Sequence, residues 1–326
     1  KGLFPYGPLQ PGFCDPERPS AEIMRLSDGR FFPLETEIPL AHRFLPGIAA
    51  NEEAILVVGG IDCSENPPAV STSADLITAK GNQRIELGRR LAGPSVTALR
   101  DGRFLIWGHD LDGSGANAML VDPKRGGDVV EILTSGHSEC DMQNESPCWH
   151  STAYHTATSI IGPESIEKII IFGGILGDDA GQLINNPNFG AETPTNFFAI
   201  ELRANEAIIT GLGIAQSSDE KRRALHHATP FGDGILVSGG WVYNGNALNL
   251  DAASTLLRLG QKGEVEVIAD SKTPRLGHVA FPGQPGQLVL TGGVRRSPNE
   301  PNVFEIAHGA DVFTELHGDD PCAYRN

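Results

Sequence analysis

Ile235-Leu236-Val237-Ser238-Gly239-Gly240 is a short apolar run closed by a glycine pair, and the chain repeats it. The other copies are Ile55-Leu56-Val57-Val58-Gly59-Gly60, Ile169-Ile170-Ile171-Phe172-Gly173-Gly174 and Leu288-Val289-Leu290-Thr291-Gly292-Gly293. A fifth, Phe104-Leu105-Ile106-Trp107-Gly108-His109, carries histidine in place of the second glycine. The first glycines stand at 59, 108, 173, 239 and 292, in steps of 49, 65, 66 and 53 residues. A period of about 50 residues with insertions predicts a ring in which each repeat supplies one small four-stranded sheet.

The sequence around each copy supports this. A preamble precedes three of the runs: Tyr154-His155-Thr156-Ala157-Thr158, Arg223-Ala224-Leu225-His226-His227-Ala228-Thr229 and Arg275-Leu276-Gly277-His278-Val279-Ala280. After the glycines comes a variable connection and then a further strand, as in Ser73-Ala74-Asp75-Leu76-Ile77, Ala118-Met119-Leu120-Val121-Asp122 and Asn196-Phe197-Phe198-Ala199-Ile200. A last strand follows, as in Val129-Val130-Glu131-Ile132-Leu133 and Val265-Glu266-Val267-Ile268. Strands covered on both faces read as near-continuous Val, Ile and Leu, and glycine closes the second strand where the chain turns. One such sheet cannot bury its own faces, so neighbours must stack. No stretch has the periodicity of a long amphipathic helix.

An Arg/His preamble, an apolar strand and Gly-Gly resemble the Kelch repeat family over roughly residues 40–316. The set is divergent and bacterial in style, with few of the later Tyr and Trp residues and with long connections. The resemblance implies one all-β domain over residues 1–326, a Kelch-type β-propeller of six blades with four antiparallel strands each. The sixth blade is expected from the chain ends, 1–40 and 317–326, with Ala21–Leu34 as its outer hairpin. Five blades plus an N-terminal hairpin is the alternative. Ring closure would hide strand edges that otherwise pair with other chains.

Lys and Arg number 25 against 41 Asp and Glu, a net charge of −16. That balance argues against nucleic acid, whose binding needs a basic face, and suits a mutually repelling soluble surface. No apolar run approaches the roughly 18–20 residues that span a bilayer, so no membrane insertion is expected. The turn-rich start, Phe4-Pro5-Tyr6-Gly7-Pro8, reads as a mature, processed N-terminus. Of five cysteines, Cys140 and Cys148 enclose a polar loop that a disulfide can close. Cys14 and Cys322 would meet if a ring joined the ends, leaving Cys63 free or intermolecular. This reading places the chain outside the cell, at its surface or in the periplasm. Five free thiols in a reducing compartment is the other reading; zinc is weakly supported without Cys-x-x-Cys. Asn144-Glu145-Ser146 is a glycosylation-type triplet followed by Pro147.

Arg43, Tyr154, His155, Arg223, His226, Arg275 and His278 lie in or beside the preambles. They form either a ring of anion- or sugar-binding groups at a channel mouth or, as the resemblance implies, bonds that satisfy backbone between blades. Asp110, Asp112 and Ser114 alternate like the front of a calcium loop, but Val121 occupies the twelfth position, where an EF-hand needs glutamate. No cofactor is expected, with calcium as the alternative. Asp178-Asp179 and Asp319-Asp320 read as solvated loop charge, since adjacent side chains of an extended segment point apart. No Gly-x-Ser-x-Gly elbow and no phosphate-cradling loop are present. Residues 135–153, with Trp149, and 175–194 are insertions of a length that usually carries function. The reading that follows is a secreted or cell-surface, non-catalytic binding scaffold. Its long connections would meet a protein or glycan partner or a larger assembly. An extracellular carbohydrate-active enzyme with its site at the channel mouth is the alternative.

Overall fold

A computed structural model describes residues 22–24, 31–64, 69–113, 116–136, 149–161, 165–176, 197–203, 206–212, 223–231, 234–243, 248–249, 255–259, 265–270, 275, 278–282, 287–296, 304–306 and 310–314. Helix among them is one short turn, Pro123–Arg125; the protein is all-β.

Each glycine-terminated run is the second strand of an antiparallel sheet. The first sheet consists of Gly47–Ala50, Ala54–Val58, Ser73–Thr78 and Gly81–Glu86 in chain order. The second has Leu91–Ala98, Phe104–Asp110, Ala116–Asp122 and Asp128–Gly136, and the third Thr156–Ile161, Glu167–Phe172, Phe197–Arg203 and Glu206–Leu212. The fourth has His227–Phe231, Gly234–Ser238, Thr255–Leu259 and Val265–Asp270. The fifth has Val279–Pro282, Gln287–Thr291 and Ala310–Thr314, three strands among the described residues. The first strands of the five sheets lie side by side in chain order, a propeller-like arrangement. Near the N-terminus Glu22–Met24 pairs with Phe31–Pro33 as a separate hairpin.

Alternation explains how the sheets stack. Leu56, Val58, Ala74 and Leu76 of the first sheet pack on Phe104, Ile106, Met119 and Val121 of the second. The residues between these, Leu105, Trp107, Ala118 and Leu120, point the other way and pack on Ile169, Ile171, Phe198 and Ile200 of the third. Ile170 and Phe172 then meet Ile235 and Val237 of the fourth. Successive apolar residues of one strand thus serve two interfaces, which is why the runs show no polar alternation. The second and third sheets are also joined at their outer edges, where Leu133–Gly136 pairs in parallel with Glu206–Ile209.

The glycine pairs mark where neighbouring repeats come closest. Gly173 (φ 67°) and Gly239 (φ 60°) are left-handed, and a Cβ on either would collide with the backbone carbonyl of Arg223 or Arg275 in the next repeat. The N–H of the second glycine donates to that same carbonyl, Gly174 to Arg223 at 2.8 Å and Gly240 to Arg275 at 2.9 Å.

One cysteine expectation is corrected. Cys63 is disulfide-bonded, so it is not the free residue. With Cys63 engaged, the pairs Cys140–Cys148 and Cys14–Cys322 cannot both form; those four cysteines lie outside the described residues, as do Asp178, Asp179, Asp319, Asp320 and the Asn144 triplet.

Gly88 shares the left-handed φ (69°) but a Cβ there meets nothing within 4 Å. In urea unfolding, Gly88→Ala is therefore expected to cost only the conformational strain, about 1–2 kcal/mol. Gly239→Ala should cost about 3 kcal/mol or more, strain plus collision.

Candidate functional site

In a sheet whose strands run antiparallel in the order one to four, the second-to-third and fourth-to-first connections leave from the same end. At the opposite end every connection between the strands is short: 51–53, 79–80, 99–103, 123–127, 162–166, 204–205, 232–233, 260–264 and 283–286. The first end carries 59–72, 137–155, 173–196, 213–226, 239–254 and 292–309. A second layer of short strands is built there. Arg43–Phe44 pairs with Ile61–Asp62, Thr152–Ala153 with Ile175–Leu176, and Arg223–Ala224 with Trp241–Tyr243. This end is the candidate functional face.

The residues singled out from the sequence sit beneath this face, in the seams between sheets. The Arg223 Nη1 donates to the carbonyl of Gly239 at 3.3 Å and Arg275 Nη1 to that of Gly292 at 3.0 Å; both side chains are fully buried. Arg43 Nη1 donates to the Gly59 carbonyl at 2.9 Å, and its Nε pairs with the buried Asp75 at 3.1 Å. Thr152 stands in the arginine position of its repeat and donates Oγ1 to Gly173 at 3.0 Å. In four of the five repeats this position thus satisfies the carbonyl of the first glycine in its own repeat.

The histidines three residues on reach backwards. His155 Nε2 lies 2.8 Å from Ser95 Oγ, His226 Nε2 2.8 Å from Thr156 Oγ1 and His278 Nε2 2.5 Å from Ser238 Oγ, each hydroxyl belonging to the preceding sheet. His155 Nδ1 also meets the Thr152 carbonyl at 2.8 Å, so it carries the proton and Nε2 accepts. The Nδ1 atoms of His226 and His278 are buried without a partner. A bare acceptor is cheaper there than a bare donor, which places the proton on Nε2.

The third position of this motif takes left-handed backbone in the first four repeats: Leu45 (φ 53°), Gly93 (45°), Tyr154 (58°) and Leu225 (55°). Tyr154 N donates to Gly93 O at 2.9 Å and Leu225 N to Tyr154 O at 3.0 Å, linking repeat to repeat. Strain of about 1–3 kcal/mol per non-glycine residue recurs in register and is offset by the same bond, so it belongs to the architecture. Tyr154 itself is buried against Gly93, and burial pushes its hydroxyl up to about 12.

Trp149 is core. Its ring centroid lies 5.7 Å from Trp107 and 5.3 Å from Phe198, so Trp149 is held between the second and third sheets. Asp110 pairs with Arg89 at 2.9 Å and Asp112 with Arg90 at 2.5 Å. Arg90 holds the Asp112 carboxyl below its usual range. A cation there would have to displace two guanidinium groups; Ser114 lies outside the described residues. Among the described residues no group of three His, Cys, Asp or Glu side chains converges as a metal site.

The sequence reading missed the hydroxyl partners Ser95, Thr156 and Ser238, the buried Asp75, and the left-handed position. Aligning Arg43-Phe-Leu-Pro46, Arg223-Ala-Leu-His226 and Arg275-Leu-Gly-His278 in register would have shown a common third position.

An all-β protein of stacked, glycine-paired repeats with a propeller-like architecture is what fold and site define together. No family model and no curated protein matches the chain. The solved structure of YjhT is similar, with a TM-score of 0.58 at 14% identity over 88% of this chain and 90% of that one. At such identity the likeness concerns the fold alone.

Two outcomes follow from this packing. Trp149→Ala should lower unfolding free energy by about 3–5 kcal/mol in a denaturant titration. Burial pushes both His155 and His278 down to about 4, and His226 well below its usual range, the last also through the Arg223 charge. The unfolded chain, with histidines near pKa 6.5, therefore binds more protons between about pH 4 and 6.5. Stability is full above that window and falls as the pH drops through it. His278→Gln, which keeps a donor for Ser238, should make the decline of urea midpoint with falling pH shallower.

Proposed function

We propose that the chain is a six-bladed Kelch-type propeller serving as a non-catalytic binding scaffold, secreted or at the cell surface. It would engage a protein or glycan partner through the face bearing the long connections. One observation carries the reading: among the described strands of the five sheets, the long connections leave from one end, where a second layer of short strands is built, while those at the other end are no longer than five residues. Repeat folds gather insertions on their binding face. The arginines and histidines of the preambles are already engaged in holding sheet to sheet, which favours a surface that binds over a channel-mouth site that reacts. The disulfide at Cys63 supports an oxidising compartment. The outer hairpin near the N-terminus supports a sixth blade made from chain ends.

The test is a glycan array and a surface-protein capture with the intact protein and with a variant whose residues 178–195 are replaced by a short Gly-Ser link. Binding by the intact protein that is lost in a folded variant supports the proposal. Undiminished binding by the variant, or turnover of a captured glycan, overturns it.

A further inference from the structure

Across the four seams between the five sheets, the fourth motif residue meets the residue that follows the motif of the preceding repeat, and the two change together. In the first seam Pro94 stands in the histidine position and lies against Gly47, where a Cβ would collide with the Pro94 carbonyl. In the second and third, His155 meets the hydroxyl of Ser95 and His226 that of Thr156. The residue that follows the fourth motif is His227, so in the last seam one imidazole faces another. The His227 and His278 ring centroids are 5.9 Å apart. His278 Nε2 turns instead to Ser238, which is paired with His227 on the adjacent strand.

This seam responds to a proton differently from the others. With Nε2 bonded to Ser238, the Nδ1 of His278 is bare and buried. A proton added there finds no acceptor among the described residues and leaves a charge out of water, a cost that opening the seam relieves. Among the described residues the charges acting on this ring are all positive, Arg275 in its own repeat and His227 across the seam. Unlike His155, His226 and His278, His227 is only half-buried, so acid reaches it while the sheets are still closed. The other histidine seams have more to hold them. His226, under the positive influence of Arg223, His155, His227 and His278, sits edge-on to Phe172 at 5.3 Å, where Ile170 and Phe172 pack on Ile235 and Val237. His155 lies between two sheets that share one ladder.

The geometry points to an acid-operated clasp between the fourth and fifth sheets: protonation of the facing His227 and His278 releases the fifth sheet while the first three stay packed. Burial sets the direction, lowering His227 and bringing His278 down to about 4. The open seam, with histidines near 6.5, therefore takes up protons that the closed seam refuses. The clasp is at full strength above that value and weakens as the pH falls towards 4. It depends neither on the number of blades nor on a partner.

Amide hydrogen exchange of the intact protein, read by mass spectrometry at pH 7 and pH 5 and corrected for the intrinsic rate, locates the opening. Peptides covering 279–282 and 287–291 should lose protection about 20-fold at pH 5 through His278 alone, and further through His227. Peptides covering 54–58, in a sheet whose seam holds no histidine, and 169–172 should keep theirs. His227→Thr, which restores the imidazole–hydroxyl pairing of the earlier seams, should leave exchange at pH 7 as in the parent and make the loss at pH 5 smaller. Adding His278→Gln should abolish it. An equal loss in all sheets, or a loss in the fifth sheet that the double variant retains, overturns the clasp. Should the variants not fold, the parent map decides alone: protection lost from 54–58 or 169–172 at the same pH as from 287–291 overturns it.

Discussion

In two of the seams a single backbone carbonyl sets how closely the sheets can pack. In the seam between the third and fourth sheets it is that of Arg223, and in the next seam that of Arg275. It stands where a Cβ of the preceding repeat's first glycine would be, and it accepts the N–H of the second glycine. Only glycine tolerates both the left-handed backbone and the contact. Once the chains approach this closely, the carbonyl of the first glycine is cut off from water. An orphaned carbonyl of this kind costs about 1–3 kcal/mol, and a side-chain donor must reach it from within. Arg43, Thr152, Arg223 and Arg275 are those donors. The histidines close the same seam from the other side by bonding hydroxyls of the sheet before. At Gly173 and Gly239 the side-chain donors thus accompany the close glycine contact. In the first repeat Asp75 neutralises the buried Arg43 and also holds Arg84.

The seam between the second and third sheets departs from this scheme at both partners. His109 replaces the second glycine, and Thr152 replaces arginine. The two changes meet: His109 Nδ1 lies 2.9 Å from the Oγ of Ser151, next to Thr152. Trp107, Trp149 and Phe198 then fill the seam with mutually tilted rings. Here aromatic packing accompanies a change in the polar clamp.

The repeated strands were legible because their signal is local. A run such as Ile169–Phe172, apolar at every position and stopped by Gly173-Gly174, states both its length and its burial on two faces. The third and fourth strands of the second sheet were likewise readable from Ala118–Asp122 and Val129–Leu133. What could not be read depends on partners one repeat away. Nothing near Ser95 or Ser238 in the chain announces a histidine of the following sheet, and Leu45 or Tyr154 gives no local hint of left-handed backbone. Trp149 looked like a loop aromatic available to a ligand because its covering residues, Trp107 and Phe198, are far off in sequence. The ion pairs of Asp110 and Asp112 were hidden because Arg89 and Arg90 lie on another strand connection. Cys63 was misassigned for the same reason: spacing favours the cysteines that are close in sequence or at matching ends.

The parallel pairing of Leu133–Gly136 with Glu206–Ile209 alters how the molecule should come apart. Elsewhere adjacent sheets are held by side-chain packing and a few seam bonds, and each can open as a separate unit. The second and third sheets share one continuous eight-stranded hydrogen-bond ladder, so neither can be lost without tearing backbone pairing from the other. Local opening divides along cooperative units of this kind. The middle of the chain therefore behaves as a double-sized block that outlasts the repeats on either side. The connection between those two sheets is carried on the part of the molecule slowest to yield.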